Sequence, residues 1–154
     1  MDLSMLLWSL CWKNKPLELV NGKWRCTLKR ISYQAPATLL KLADHFNLTG
    51  DFKLDFPDRQ MNKTSKLDML IINGTYKGFM EIMLQNNDIT VQSYYMDGYT
   101  FFVLRMDYGD WIEDSWGTWN KWDGVARATA QVFPNAWTAI LVSLDNVGMW
   151  NPRT

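Results

Sequence analysis

The sequence predicts an all-β sandwich that carries one short helix, and three observations lead to that fold class. Short apolar segments recur along the chain with turn residues between them. No alternation of strands with long helical segments is present, which argues against a parallel α/β sheet. Aromatic residues are abundant, with nine Trp, seven Phe and six Tyr among 154 residues, and such side chains favour strands and sandwich cores. A chain of this length is sufficient for one domain with a sizeable core.

The N-terminal part of the chain has the weaker strand signals. Residues 1–12 are apolar, but they contain Asp2, no preceding basic residue and no small-residue cleavage site, so they make no convincing signal peptide and are too short to span a bilayer. We interpret them as a strand-like core segment or as a result of where the chain was started. Residues 23–33 mix apolar, β-branched and polar residues, which is typical of a strand. Residues 39–46 have the apolar spacing of a short helix. The single histidine, His45, is expected on the surface of this helix, because a metal site needs several converging ligands.

Strand signals are stronger from residue 68 onwards. Residues 68–73 and 76–85 are predicted strands, and the Asn73-Gly74 dipeptide between them is predicted to form a tight turn. Residues 110–122 form an aromatic-rich insertion. The remaining predictions are turns at 86–88 and 134–135 and strands at 89–95, 100–107, 124–133 and 137–144.

The charge balance argues against several classes of partner. Sixteen acidic and sixteen basic residues cancel, so the chain offers no electrostatic case for nucleic acid or for an anionic membrane surface. Phosphate loops, nucleophile elbows and zinc motifs are missing from the sequence. The acidic residues are scattered and do not single out the carboxylate pair that a glycosidase needs. We therefore expect no nucleic-acid partner and no transmembrane segment.

Residues 92–104, Gln-Ser-Tyr-Tyr-Met-Asp-Gly-Tyr-Thr-Phe-Phe-Val-Leu, are the most informative segment of the chain. This segment resembles the third-domain copper motif of multicopper oxidases, H-P-W-H-L-H-G-H-x-F, with every histidine replaced. Gly98 and Phe101 keep the places that they have in the motif. The four histidine positions of the motif fall on Gln92, Tyr95, Asp97 and Tyr99.

A second region, near the end of the chain, resembles the same family. Residues 137–140 (Trp-Thr-Ala-Ile) and 145–150 (Asp-Asn-Val-Gly-Met-Trp) are similar to the W-T-A-I and D-N-P-G-V-W stretches of ascorbate oxidase. The closer resemblance is to the copper-poor branch, which comprises the SKU-similar, monocopper oxidase-like and pollen-type L-ascorbate oxidase homologue proteins. In a working oxidase, W-x-x-H-C-H follows. Arg153 stands at its first histidine position and Thr154 at its cysteine position.

The resemblance implies both a fold and a place in a longer protein. The implied fold is a cupredoxin-like Greek-key β-sandwich with one short helix, expected to lack its closing strand. Residues 19–154 would form the third, C-terminal cupredoxin domain of a multicopper oxidase-like protein, incomplete at its C-terminus. Residues 1–18 would be a non-family or truncated N-terminal segment. The two cupredoxin domains that precede this one in the family would be its partners.

The replaced ligands predict a loss of copper chemistry. A blue-copper site needs a thiolate and two imidazoles, and the residues at the degenerate positions do not rebuild it. Oxygen ligands from Asp97 and Tyr99 alone make no dedicated cation site. We therefore expect no cofactor, no catalytic or metal-binding residue and no enzymatic activity, whereas catalytic relatives use copper. The alternative is a copper-binding oxidoreductase of the ascorbate oxidase and laccase family.

Three N-x-[ST] sequons make Asn47, Asn62 and Asn73 candidate N-glycan acceptors. The competing interpretation of Asn73 is a hairpin turn residue. The resemblance implies a secreted plant glycoprotein of the cell wall, apoplast or plasma membrane, with a binding or structural role in directional growth or in pollen.

The insertion at 110–122 contains four tryptophans, Trp111, Trp116, Trp119 and Trp122. The favoured interpretation is a loop packed over the end of the sandwich, because exposed aromatic patches are uncommon unless they bind something. The alternative is an aromatic platform that stacks against cell-wall polysaccharide, which would make the domain a carbohydrate-binding module. Trp116 is the preferred position to test, since the family tends to have a basic residue there.

Overall fold

The computed structural model describes residues 3–5, 18–25, 31–48, 50, 53, 64–69, 71–150 and 152–153. These residues form mainly short strands, with one α-helix, α1 (Leu40–His45), and one 3-10 helix (Glu113–Thr118). The strands, in chain order, are β1 (Leu3–Met5), β2 (Glu18–Val20), β3 (Lys23–Arg25), β4 (Ile31–Tyr33), β5 (Lys66–Asp68), β6 (Ile72–Gly74), β7 (Phe79–Asn86), β8 (Gln92–Met96), β9 (Phe101–Tyr108), β10 (Val125–Arg127), β11 (Thr129–Val132), β12 (Ala136–Ser143), β13 (Met149–Trp150) and β14 (Pro152–Arg153).

Two antiparallel sheets face each other and enclose the main core. The first has four strands in the order β10-β9-β12-β7, and the second has three in the order β11-β8-β14. The core between them contains apolar side chains from both sheets, among them Leu84, Met96, Phe101, Val132 and Ile140. Buried residues alternate with exposed ones on β8 and β11, as is typical of sandwich strands. The predicted all-β sandwich is confirmed.

Three smaller sheets accompany the two main ones among the described residues. β1 lies between β13, to which it is parallel, and β6, to which it is antiparallel. Residues 3–5 therefore match the strand-like interpretation of the N-terminal segment. β2 and β3 form a hairpin, and β4 pairs in parallel with β5.

The predicted short helix is confirmed as α1. It buries Ala43, while the surface position predicted for His45 is also confirmed, because that side chain is exposed and its ring lies edge-on to Phe46 at 4.9 Å.

The predicted tight turn at Asn73-Gly74 and the continuous strand 68–73 are both wrong. β5 ends before Met69, and Asn73 lies within β6, where it pairs with Ser4 of β1. The turn comes later, where Gly78 N donates a hydrogen bond to Thr75 O at 2.8 Å. Pairing with β1, which is distant in sequence, overrides the local turn preference of the dipeptide.

The predicted single strand over residues 124–133 is wrong as well. The chain bends at Ala128, so that β10 belongs to the four-stranded sheet and β11 to the three-stranded sheet. Strands that turn a corner between two packed sheets are a regular feature of sandwiches. The predicted turn at Pro134-Asn135 is confirmed and leads into β12, and Asn135 adopts φ 50° there.

Strand β9 contains a bulge that affects the outer face of the four-stranded sheet, which is the face directed away from the second sheet. Ala139 of β12 pairs with Arg105, and Ile140 pairs with Val103, so Leu104 is an extra residue with no partner on β12. Bulges of this kind locally redirect side chains. Both Leu104 and Arg105 contact the aromatic insertion, as described below.

Candidate functional site

Strand β8 carries the first part of the degenerate copper motif, and its side chains lie alternately in the core and in solvent. Gln92, Tyr94 and Met96 are buried, whereas Ser93 and Tyr95 are exposed. Successive side chains of a strand point to opposite faces. The two histidine positions at residues 92 and 95 therefore lie on opposite sides of the sheet.

Gln92 is part of the main core, with only 1% of its surface exposed. Its side-chain carbonyl oxygen accepts a hydrogen bond from the hydroxyl of Tyr94, and its Nε2 has no hydrogen-bond partner. Burial raises the pKa of Tyr94 to about 12. The phenol therefore stays protonated near neutral pH and acts as the donor to Gln92.

Tyr99 closes the loop that follows β8. Its side chain is buried, its hydroxyl donates to the main-chain oxygen of Asn146, and its ring meets that of Trp150 edge to face at 5.6 Å. The same oxygen of Asn146 accepts a hydrogen bond from Trp150 Nε1 at 2.8 Å. The Asn146 side chain in turn donates to the carbonyl of Gly98 at 3.1 Å. The two stretches of sequence that resemble the family thus meet in space.

Gly98 shows why this contact needs glycine. The residue has φ 74°, a conformation that L side chains rarely adopt, and a Cβ atom there would lie 2.3 Å from Cζ3 of Trp150. The ring of Trp150 also packs near Gly148, whose Cβ would lie 3.5 Å from Cζ2. Asn146 and Trp150, the partners of Tyr99, both belong to the family-like stretch at residues 145–150, but the sequence alone does not predict this contact.

The other motif positions are arranged differently. Asp97 is half-buried, and Tyr95 is the register partner of Arg153 on β14. Positions 95 and 153 are therefore adjacent on neighbouring strands. Gln92 is instead hydrogen-bonded to Tyr94, and Tyr99 to the main-chain oxygen of Asn146. Thr154 lies outside the described residues.

The donor set at these positions does not fit a copper site. Amide, phenol and carboxylate groups stand where the copper motif has imidazoles, and Gln92 and Tyr95 lie on opposite faces of the sheet. Across the described parts of the chain, no group of three His, Cys, Asp or Glu residues is close enough to hold a metal ion.

Two of the three sequon asparagines lie among the described residues, and both are on the surface. Asn47 follows α1, is exposed and has φ 51°. Asn73 is exposed on β6, and Asn62 lies outside the described residues.

The aromatic insertion covers part of the outer face of the four-stranded sheet. Trp119 is buried and packs with Leu104, Trp137 and Ala139, and the partly buried Trp111 lies against this cluster. These two tryptophans pack against the outer face of the sheet. Trp122 does not, because 96% of its surface is exposed. The backbone of Trp116 lies in the 3-10 helix, and its side chain is outside the described set.

Hydrogen bonds to the β9 bulge fix the insertion in place. Asn120 N donates to Leu104 O at 2.9 Å, and Arg105 Nη1 donates to Thr118 O at 3.2 Å. Arg105 also forms an ion pair with Asp107 at 2.5 Å. Hydrogen bonds from the Arg105 guanidinium lower the pKa of the Asp107 carboxyl.

A groove of about 360 Å³ lies beside the covered part of this face. Its floor includes Phe102 and Leu141, and Trp119 and Trp122 stand along it. Polar groups complete the lining, namely Glu81, Asn120 and Lys121.

The described fold is a cupredoxin-like sandwich in which the two sequence stretches typical of multicopper oxidases are in contact. The family model described as multicopper oxidase matches residues 37–154. The chain is 56% identical over 142 residues to the monocopper oxidase-like protein SKU5 of Arabidopsis thaliana, a match that covers 92% of this chain and 24% of that protein. It is 50% identical over 141 residues to the monocopper oxidase-like protein SKS1 of the same plant, again covering 92% of this chain and 24% of the relative.

A more distant match is to an L-ascorbate oxidase homolog of Brassica napus, at 37% identity over 140 residues, covering 88% of this chain and 25% of that protein. The chain belongs to the multicopper oxidase family and to its monocopper oxidase-like branch. It spans about a quarter of the length of the curated relatives that it matches. Within the described residues, no helix is long and apolar enough to cross a membrane.

Proposed function

We propose that this chain is a non-catalytic, copper-free cupredoxin domain with a binding or structural role in a secreted plant glycoprotein. The observation that carries the proposal is the state of the ligand positions Gln92 and Tyr99. Each is buried, and each is hydrogen-bonded to a neighbouring protein group. They contribute to packing where the copper-binding relatives have imidazoles.

The chemistry of the remaining groups supports the same conclusion. A copper centre of this family requires deprotonated thiolate and neutral imidazole ligands. Tyr94 donates a hydrogen bond to Gln92, and its side chain is a phenol, which is neither a thiolate nor an imidazole. Tyr94 therefore does not supply the ligand that position 92 lacks.

Copper loading tests this proposal directly. The purified chain is incubated with Cu(I) and with Cu(II), desalted and analysed for metal per chain by mass spectrometry, with a laccase as the positive control. We expect well under one copper per chain and no oxygen consumption with ascorbate or with a phenol. Stoichiometric copper together with oxidation of either substrate would instead establish the alternative, a copper-binding oxidoreductase.

Secretion and glycosylation form a separate part of the proposal. The exposed side chains of Asn47 and Asn73 are supported as acceptors by their position on the surface, and Asn62 remains a candidate from sequence. The intact mass of the native protein from plant tissue is measured before and after N-glycan removal, and we expect a decrease. The variant Asn47→Gln should lose one glycan. An unchanged mass would contradict both secretion and a role in the apoplast.

The length of the relatives suggests the native context. We propose that residues 19–154 function as the third cupredoxin domain after two others, which are their direct partners. The same mass measurement tests this proposal, because a native species of about 18 kDa would contradict it.

A further inference from the structure

We propose that the groove between Trp122 and the four-stranded sheet binds a neutral oligosaccharide, with the indole of Trp122 as the stacking surface. The site is on the outer face of the sheet, opposite the degenerate copper motif. The proposal does not depend on whether the chain binds copper.

The floor of the groove is a row of side chains across three strands. The register pairs Leu141 of β12 with Phe102 of β9 on one side and with Glu81 of β7 on the other. Residues paired in this way lie on the same face of a sheet. Phe102 is 43% exposed and Leu141 is partly buried, so the row presents a shallow apolar surface that ends in a carboxylate.

Trp122 lies at the edge of this groove in a defined backbone conformation. Its side chain is 96% exposed, yet its main-chain N donates to Asn120 Oδ1 at 3.2 Å, and Asp123 N donates to the same oxygen at 3.3 Å. The Asn120 backbone is in turn hydrogen-bonded to Leu104 of the bulge. A large aromatic side chain held in solvent on an ordered turn resembles a preorganised binding surface, because little backbone entropy is lost when a ligand stacks on it.

The chemistry of the lining selects the class of ligand. Pyranose rings present C–H groups on their faces, which pack on aromatic rings, and hydroxyl groups at their edges, which need hydrogen-bond partners. Phe102 and Trp122 supply apolar surface, and the exposed side chains of Glu81, Asn120 and Lys121 supply acceptors and donors. One negative and one positive group balance, so the groove favours a ligand without net charge.

The size of the groove supports a short saccharide and not a protein partner. Its volume of about 360 Å³ lies near the lower end of small-molecule sites. A stable protein interface buries about 800 Å² on each partner, which is far more than this groove offers.

Calorimetric titration of the full chain with cellohexaose tests the proposal. We expect saturable binding that the Trp122→Ala variant weakens by at least about tenfold, and that Trp122→Tyr largely retains because the aromatic ring is kept. Trp24→Ala is the matched control, since Trp24 is also exposed, at 69%, but does not line the groove. Its affinity should equal that of the parent chain. Circular dichroism confirms that each variant is folded.

Four outcomes would overturn the proposal. The first is no heat of binding at millimolar cellohexaose, and the second is equal affinity of Trp122→Ala and the parent chain. The third is tighter binding of hexagalacturonate than of cellohexaose, which would show that the groove selects an anionic ligand. Loss of binding in Trp24→Ala to the same extent as in Trp122→Ala would show a general effect of tryptophan removal and would also contradict the assignment.

Discussion

The two faces of the four-stranded sheet have opposite characters. The inner face packs Phe101, Ile140 and Val142 against the second sheet, and Gln92, the first position of the degenerate copper motif, is buried. The outer face is covered over Trp137 by the aromatic insertion but is open beside Trp122. Gln92 and Tyr99, which stand at histidine positions of the copper motif, are buried and hydrogen-bonded to protein groups. The open groove is on the outer side, and none of the four histidine positions of the copper motif lines it.

This difference separates two uses of aromatic residues within one insertion. Trp119 and Trp122 are three residues apart, but the first is 7% exposed and the second 96%. Burial of an aromatic side chain contributes to stability, whereas exposure of one on an ordered turn makes it accessible to a ligand. Substitutions at these and related positions test the contrast.

The largest effect is expected when the covered part of the outer face is disrupted. Trp119→Ala should lower the free energy of unfolding by about 3–5 kcal/mol, because it leaves a cavity beneath the insertion. Trp122→Ala should change it by less than about 0.5 kcal/mol. Urea denaturation of both variants provides the measurement, and similar losses in the two would abolish the distinction between covered and open aromatics.

A slightly smaller effect is expected at Gly98, in the turn that follows β8. Gly98→Ala combines positive φ with a clash against Trp150 and should cost about 3 kcal/mol. Gly22→Ala is the matched control, since Gly22 has φ 73° but no atom within 4 Å of its Cβ position. The control should lose only about 1 kcal/mol. Equal losses in chemical denaturation would mean that the contact with Trp150 contributes nothing.

The hydrogen bond between Tyr94 and Gln92 should have an intermediate effect. Tyr94→Phe removes the hydroxyl donor and should cost about 1–2 kcal/mol, because the buried carboxamide of Gln92 is left unsatisfied. The double variant Tyr94→Phe with Gln92→Met should recover most of that loss, since no polar group then remains there. A double variant less stable than Tyr94→Phe alone would show that Gln92 has a further partner.

The smallest effect is expected from pH at the insertion. The pKa of Asp107 is lowered by hydrogen bonds from Arg105, so the ion pair is complete above the ordinary carboxyl pKa and is lost as pH falls through the lowered value. Amide exchange at Asn120, relative to the intrinsic exchange rate, should therefore accelerate as the pH falls below the ordinary carboxyl pKa of 3.8 and through the lowered pKa of Asp107. In Arg105→Ala this step should disappear, and its persistence would assign the effect to another carboxyl group.

The sequence was sufficient for the fold class, for α1 and for the place of β12, because apolar periodicity and turn residues report local structure. It was also sufficient to align Gly98 with its family position. It was not sufficient for Asn73, where pairing with a strand about seventy residues earlier decides the conformation. The sequence also did not predict that Trp119 is buried and Trp122 exposed, since neither residue lies in an element with a periodic apolar pattern.

The contact between Tyr99 and Asn146 has the same origin. The two residues are 47 positions apart, and no local pattern links a phenol to a main-chain oxygen at that separation. Likewise, the extra residue at Leu104 changes the register of β9 without a glycine or proline to mark it. Register depends on which strands pair, and this information is tertiary.

The bend at Ala128 has a mechanical consequence. A single stretch of chain, β10 followed directly by β11, is hydrogen-bonded first to β9 and then to β8, so it belongs to both layers of the sandwich. Pulling the layers apart therefore requires rupture of backbone ladders and not only separation of side chains. Loosening on one side is transmitted through covalent bonds to the other, and the two layers are expected to open together as one cooperative unit.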